Sequence, residues 1–147
     1  MPIMNYTTSI KVSKTLSEIQ SLLIKCGAKQ ILLEYGSNSE DITAISFQIF
    51  LYKELHFRLP SNHAGILQSM KMDKKVPRNK CTKEHAQKVS WRIIKDWLEA
   101  QLALIQAELA TNIEIFLPYM LIENGQTFYE AFKERKLDTL LLEDKNV

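Results

Sequence analysis

The chain has 147 residues, 46% hydrophobic and 24% charged, with only 4 Gly and 4 Pro. That composition suits one folded domain and excludes a loop-dominated or disordered chain. A formal charge of +2 and a pI near 8.5 are too mild to imply nucleic acid by themselves, and no run approaches the ~20 apolar residues that span a bilayer.

MPIMNYTTSIKV has no charged start followed by an apolar core, so it is not expected to act as a secretory signal. Within it, Tyr6–Val12 alternates weakly and reads as a first strand. Thr15-Leu-Ser-Glu18 has the spacing of a capping box, and Leu16, Ile19, Leu22, Leu23 and Cys26 follow at helical intervals up to Gly27. Gln30–Tyr35 places Ile31, Leu33 and Tyr35 on one face of a second strand, and Gly36-Ser-Asn-Ser39 is turn chemistry. Ile42–Leu51 is a third strand, with Ile45, Phe47, Ile49 and Leu51 in step. Glu54–Leu59 alternates most cleanly: Leu55, Phe57 and Leu59 face one way, Glu54, His56 and Arg58 the other, and Pro60 ends the run. His63–Met72 reads as a short helix and Asp73–Cys81 as a basic loop containing Pro77.

Thr82–Ala110 reads as one long helix with Thr82 as N-cap and Glu84 in its first turn. Ala86, Val89, Ile93, Trp97, Ala100 and Leu104 form one apolar stripe; Trp91, Ile94, Leu98, Leu102, Ile105 and Leu109 form a second. Two stripes need two covers, supplied by the rest of the chain or by another copy. The pattern therefore predicts a homo-oligomer with Trp91, Ile94, Leu98, Leu102 and Ile105 at the interface. Thr111-Asn112 marks a break, Pro118 a kink within 113–121, Asn124-Gly125 a turn, and Thr127–Arg135 a last helix. The tail 141–147 is expected to fray.

The expected fold is a single α+β domain over 1–147. A small, mostly antiparallel four-stranded sheet, in the order β-α-β-β-β, packs against the first helix and the long helix, followed by short C-terminal helices. Its α-β-β-β-α portion is the element order of double-stranded-RNA-binding domains, an order many folds share.

The strongest candidate for function is MKMDKKVPRNKCTK. Lys71, Lys74, Lys75, Arg78, Lys80 and Lys83 surround one acid, Asp73, just ahead of the long helix. Such a loop suits a negatively charged ligand (a nucleotide, a nucleic acid or an acidic protein surface) or serves only as a solvated loop. Arg58 can grip a phosphate or carboxylate if its sheet face is open, or form an ion pair with Glu54 or Glu34. Asp96 and Glu99 are expected to pair with Arg92 and Lys95. Cys26 and Cys81 have no CxxC partner, and no His pair has metal spacing; free thiols in a reducing cytoplasm, no metal and no cofactor are expected. With no GxxxxGK[ST], GxGxxG or HExxH, no catalytic residues are assigned. The one enzymatic alternative is a cleft between subunits using His85, Cys81 or Asp96.

FRLP (Phe57–Pro60) together with AQKVSWRIIKDWLEAQLALIQAE (Ala86–Glu108) resembles a group of small proteins encoded by phages, prophages and other mobile elements. The likeness extends from Lys14–Leu23 through Phe116–Leu121. It transfers no functional residue. It implies a setting, a bacterial host cytoplasm, in which small proteins without catalytic motifs inhibit host antiviral defence by binding a defence component or sequestering its nucleotide signal, or assist phage replication and recombination on nucleic acid.

Overall fold

The computed structural model describes residues 1–37 and 41–135. The element order is α1 (Val12–Lys25), β1 (Ala28–Tyr35), β2 (Ile42–Phe50), β3 (Glu54–Pro60), α2 (His63–Met72), a 3-10 turn (Arg78–Lys80), α3 (Lys83–Gln106), α4 (Asn112–Phe116), a second 3-10 turn (Leu117–Tyr119) and α5 (Phe128–Glu134). The fold is α+β, but the sheet has three strands, antiparallel in the order β1-β2-β3, and not four. The second half of the Gly36–Ser39 turn and the whole of the tail 141–147 lie outside the described residues. Among the described residues, no helix is long and apolar enough to cross a membrane.

The missing strand is the first one. Tyr6–Val12 pairs with no strand of the sheet and its last residue already opens α1, and a strand without a partner leaves its backbone groups unpaired. The segment turns instead, with Asn5 at φ 66°. It straps onto α3: Asn5 Nδ2 donates to Asp96 Oδ2 at 2.8 Å, and the Tyr6 carbonyl meets the His85 ring. α1 then begins before Thr15. Thr15 is fully buried and its hydroxyl donates back to the Lys11 carbonyl, while Glu18 pairs with Arg92 on α3. The capping-box spacing at Thr15–Glu18 thus serves a helix–helix contact. Gly27, at φ 100°, ends the helix as expected.

A short fourth rung comes from the other end of the chain. Leu121 N donates to the His56 carbonyl at 2.7 Å, and Met120 bridges Phe57, so residues 120–121 cover part of the β3 edge.

Alternation decides which sheet face is buried. Ile45, Phe47 and Ile49 on β2 and Leu55, Phe57 and Leu59 on β3 pack with Leu16, Ile19 and Leu23 of α1, Trp91, Leu98 and Leu102 of α3, and Phe116. Phe47 and Phe57 stack at 5.3 Å, and Phe116 meets Phe47 edge-on at 5.1 Å, a favoured arrangement of ring quadrupoles. A second cluster joins Met70 and Val76 to Ala86 and Val89, with Ile3, Tyr6 and Ile93 packed against it.

Along most of α3 the two stripes are covered from this chain, although Trp97 turns to Phe116 and Tyr119 and the far ends of the stripes, Ala100, Leu104 (38% exposed) and Leu109 (72%), stay open. The sheet and α1 take Trp91 (0% exposed), Leu98 (0%) and Leu102 (6%), with Ile94 and Ile105 half-buried against the same core. α2 and the N-terminal strap take Ala86, Val89 and Ile93. The stripe expected at a subunit interface lies in the protomer's own core, which removes that basis for assembly. α3 is also shorter than the expected Thr82–Ala110. It stops at Gln106 because Glu108 adopts φ 60°; Glu108 N then bonds the Ile105 carbonyl and Leu109 N the Leu104 carbonyl, which closes the helix end.

Candidate binding surfaces: the basic loop and the outer sheet face

The loop between α2 and α3 is held firmly by local contacts. Asp73 Oδ1 accepts from Lys75 N at 2.8 Å. Val76 inserts into the second cluster and is only 3% exposed. Pro77 leads into the 3-10 turn, where Lys80 N bonds the Pro77 carbonyl and Cys81 N the Arg78 carbonyl. Thr82 Oγ1 then accepts from His85 N at 3.1 Å and caps α3. This scaffold displays Lys74, Lys75 and Arg78 to solvent, with Lys80 half-buried. None of the four forms an ion pair with a described residue. Lys83 does: its Nζ lies 3.1 Å from Asp41 Oδ2 at the end of the β1–β2 hairpin. Of the six expected loop cations, Lys74, Lys75, Arg78 and Lys80 share the loop without an ion pair among the described residues, Lys71 is exposed at the end of α2, and Lys83 is engaged elsewhere.

Arg58 belongs to a different surface. On β3 it is opposite Ser46, on the sheet face turned away from α1 and α3, and its Nε donates to Glu34 Oε2 at 2.7 Å. Glu34, one of the two partners the sequence offered, is the one used. The groove over this outer face, about 740 Å³, is floored by Gln30, Leu32, Glu34, Ser46, Gln48, His56 and Arg58 and walled by Leu121 and Gly125. Arg58 also borders a second hollow of about 510 Å³ with Pro60, Pro118, Tyr119, Thr127, Tyr129 and Glu130. There Glu130 Oε1 accepts from the backbone and side chain of Thr127. The bond from the Thr127 backbone, then that from its hydroxyl, with a smaller contribution from Arg58, hold the Glu130 carboxyl below its ordinary pKa. Gln30, Ser46 and Gln48 were missed by sequence reasoning, which followed the apolar members of Ile42–Leu51. The intervening Ala44, Ser46 and Gln48 carry the signal for a second face.

The remaining titratable candidates are committed to structural contacts. His85 bonds the Tyr6 carbonyl, Cys81 Sγ rests on the Pro77 carbonyl at 3.7 Å, and Asp96 holds Asn5. Arg92 pairs with Glu18 instead of Asp96, while Lys95 pairs with Glu99 as expected and reaches Asp96 at 3.8 Å. Cys26 is buried, and desolvation pushes its thiol pKa up, away from the reactive thiolate. Among the described residues no group of three His, Cys, Asp or Glu side chains is gathered to hold a metal ion. Comparison with known proteins gives no match: no family model matches the chain, and neither does any curated protein or any solved structure.

Proposed function

We propose that this chain is a non-enzymatic binding protein that docks an extended anionic partner on the loop between α2 and α3. The observation that carries the reading is the unpaired quartet Lys74, Lys75, Arg78 and Lys80, displayed on a loop pinned by buried Val76. Like charges held close together disfavour the folded chain slightly, and no carboxylate of the described chain uses them. None of the hollows described above is lined by a lysine, so the partner meets a surface and does not enter a pocket. That favours an acidic protein face over a sequestered nucleotide. In the setting implied by the phage and mobile-element resemblance, the partner is a host defence component, inhibited by being occupied.

A second reading, a nucleic-acid accessory of phage replication or recombination, is favoured by one observation. With α2 (His63–Met72) standing between β3 and α3 as an insertion, α1, the three-stranded antiparallel sheet and α3 give helix, three strands, helix, with both helices on one sheet face, an arrangement like that of double-stranded-RNA-binding domains. The basic loop then precedes the closing helix.

Binding assays with duplex RNA, duplex DNA and single strands over a salt series separate the two. Duplex binding that weakens steeply with salt through counterion release supports the second reading. Absence of nucleic-acid binding at low salt, with cross-linking of host proteins that disappears on reversing Lys74, Lys75 and Arg78 to Glu, supports the first. Cross-linking and nucleic-acid binding both indifferent to that reversal contradict both readings.

A further inference from the structure

Three polar side chains stand abreast on the outer sheet face: Gln30 on β1, Gln48 on β2 and His56 on β3, with Gln48 in register with both of the others. Gln48 is only 7% exposed, yet its carboxamide makes no hydrogen bond with any described residue and it lines the groove. Its amide atoms are not among the fully buried polar atoms without a partner, which are Gln87 Nε2, Trp91 Nε1 and Asn112 Oδ1 among the described residues, so the stem is covered while the carboxamide tip opens into the groove and meets solvent there. The donor and acceptor of Gln48 are free toward the groove, where a ligand can take the place of solvent.

The rest of the groove narrows the ligand's chemistry. Arg58 and Glu34 neutralise each other at 2.7 Å, so neither an anion nor a cation is favoured there. Ser46, Gln30 and His56 add hydrogen-bonding groups, while Leu32, 64% exposed, and Leu121 supply apolar surface beside the floor. A volume of about 740 Å³ is in the range of small-molecule sites. A carboxamide presents a donor and an acceptor side by side in one plane. The edge of a nucleobase matches that pattern with two parallel hydrogen bonds. Arg58 gives only its Nε to Glu34, which leaves its outer N–H groups for a ring carbonyl.

We propose that the outer sheet groove is a binding site for an uncharged planar heterocycle of the nucleobase kind, with Gln48 reading its edge between Gln30 and His56. The site is separate from the basic loop and stands or falls independently of it.

The test is proton–nitrogen NMR of the side-chain amides of the full chain, titrated with uridine, cytidine, adenosine and guanosine, and with a capped glutamine amide as the peptide arm. Saturable shifts of the Gln48 and Gln30 amides with at least one nucleoside, and none with the capped amide, are expected. Gln48→Leu, checked by its melting temperature to be folded, loses affinity by about tenfold. Gln30→Leu, on the exposed edge strand where folding is not at risk, weakens the same nucleoside. No shift with any nucleoside overturns the proposal. So does an equal response to the capped amide, or unchanged affinity in the folded variants.

Discussion

Arg58 and Glu34 are joined across the whole width of the sheet. Glu34 stands opposite Ala44 and Arg58 opposite Ser46, so their 2.7 Å contact passes over the central strand between two small side chains. The outer strands β1 and β3 are tied without touching, and the charge of Arg58 is spent within the fold. An arginine that looks from sequence like an anion-gripping residue thereby becomes part of a neutral groove floor.

Both partners are about one-third exposed, 32% and 37%, so solvent screens the pair. A double-mutant cycle of Arg58→Met and Glu34→Gln, read by urea unfolding, is expected to give a coupling of roughly 0.2–1 kcal/mol. A value near zero would show that the contact does not tie the strands.

Trp91 lies wholly inside the protomer, between the sheet and α1, and its indole N–H has no acceptor. Trp91→Ala should therefore lower the unfolding free energy by about 3–5 kcal/mol. Trp91→Phe, which keeps most of the apolar volume and removes the orphaned donor, should cost much less. Equilibrium denaturation measures both, and sedimentation of the folded variants should match the parent. A variant that changes association state at unchanged stability would return Trp91 to an interface.

Glu108 ends α3 with φ 60°, a conformation that costs an L-residue with a side chain roughly 1–2 kcal/mol and glycine almost nothing. Glu108→Gly should raise stability by about 1 kcal/mol, read as a higher denaturation midpoint at unchanged slope. A lower midpoint would mean that the Glu108 side chain makes a contribution its backbone geometry does not reveal.

α5 should loosen in acid. Thr127 holds the Glu130 carboxyl below its ordinary value of 4.5. A carboxylate with a depressed folded-state pKa stabilises above its unfolded value, and that contribution is lost as pH falls through the lower folded value. The protection of Ala131 N–H, bonded to the Thr127 carbonyl at 3.1 Å, should decline below about pH 4 in the parent. In Glu130→Gln it should be lower and flat across that range. Thr127→Ala removes the cap itself and should cost about 1 kcal/mol.

Period and punctuation made most elements legible in the sequence. Gly27 and Pro60 marked real ends, and the alternation of Glu54–Leu59 fixed both faces of β3. Tyr6–Val12 was misread because β-prone residues make a strand only where an edge awaits them. Here His85 and Asp96, about 80–90 positions away, offered the backbone and Asn5 other partners. The two apolar stripes of α3 were visible, but which neighbours covered them was not, because burial between α2, the N-terminal strap and the sheet is a property of tertiary packing. The cation loop was legible as a charge run, yet its rigidity depends on Val76 entering a core that no local pattern announces. The groove needed the register of three strands before Gln30, Gln48 and His56 could be seen as neighbours.

Retention on a heparin column tests most directly whether the cation quartet is a docking surface. Two variants with the same net charge are compared, one with Lys74, Lys75, Arg78 and Lys80 changed to Gln, the other with the exposed Lys14, Lys25, Lys29 and Lys53 changed to Gln. If the loop is the docking surface, the first variant elutes at clearly lower salt than the second, which stays close to the parent. Equal elution of the two variants would mean that only total charge matters, and would contradict a dedicated anionic docking surface on this loop.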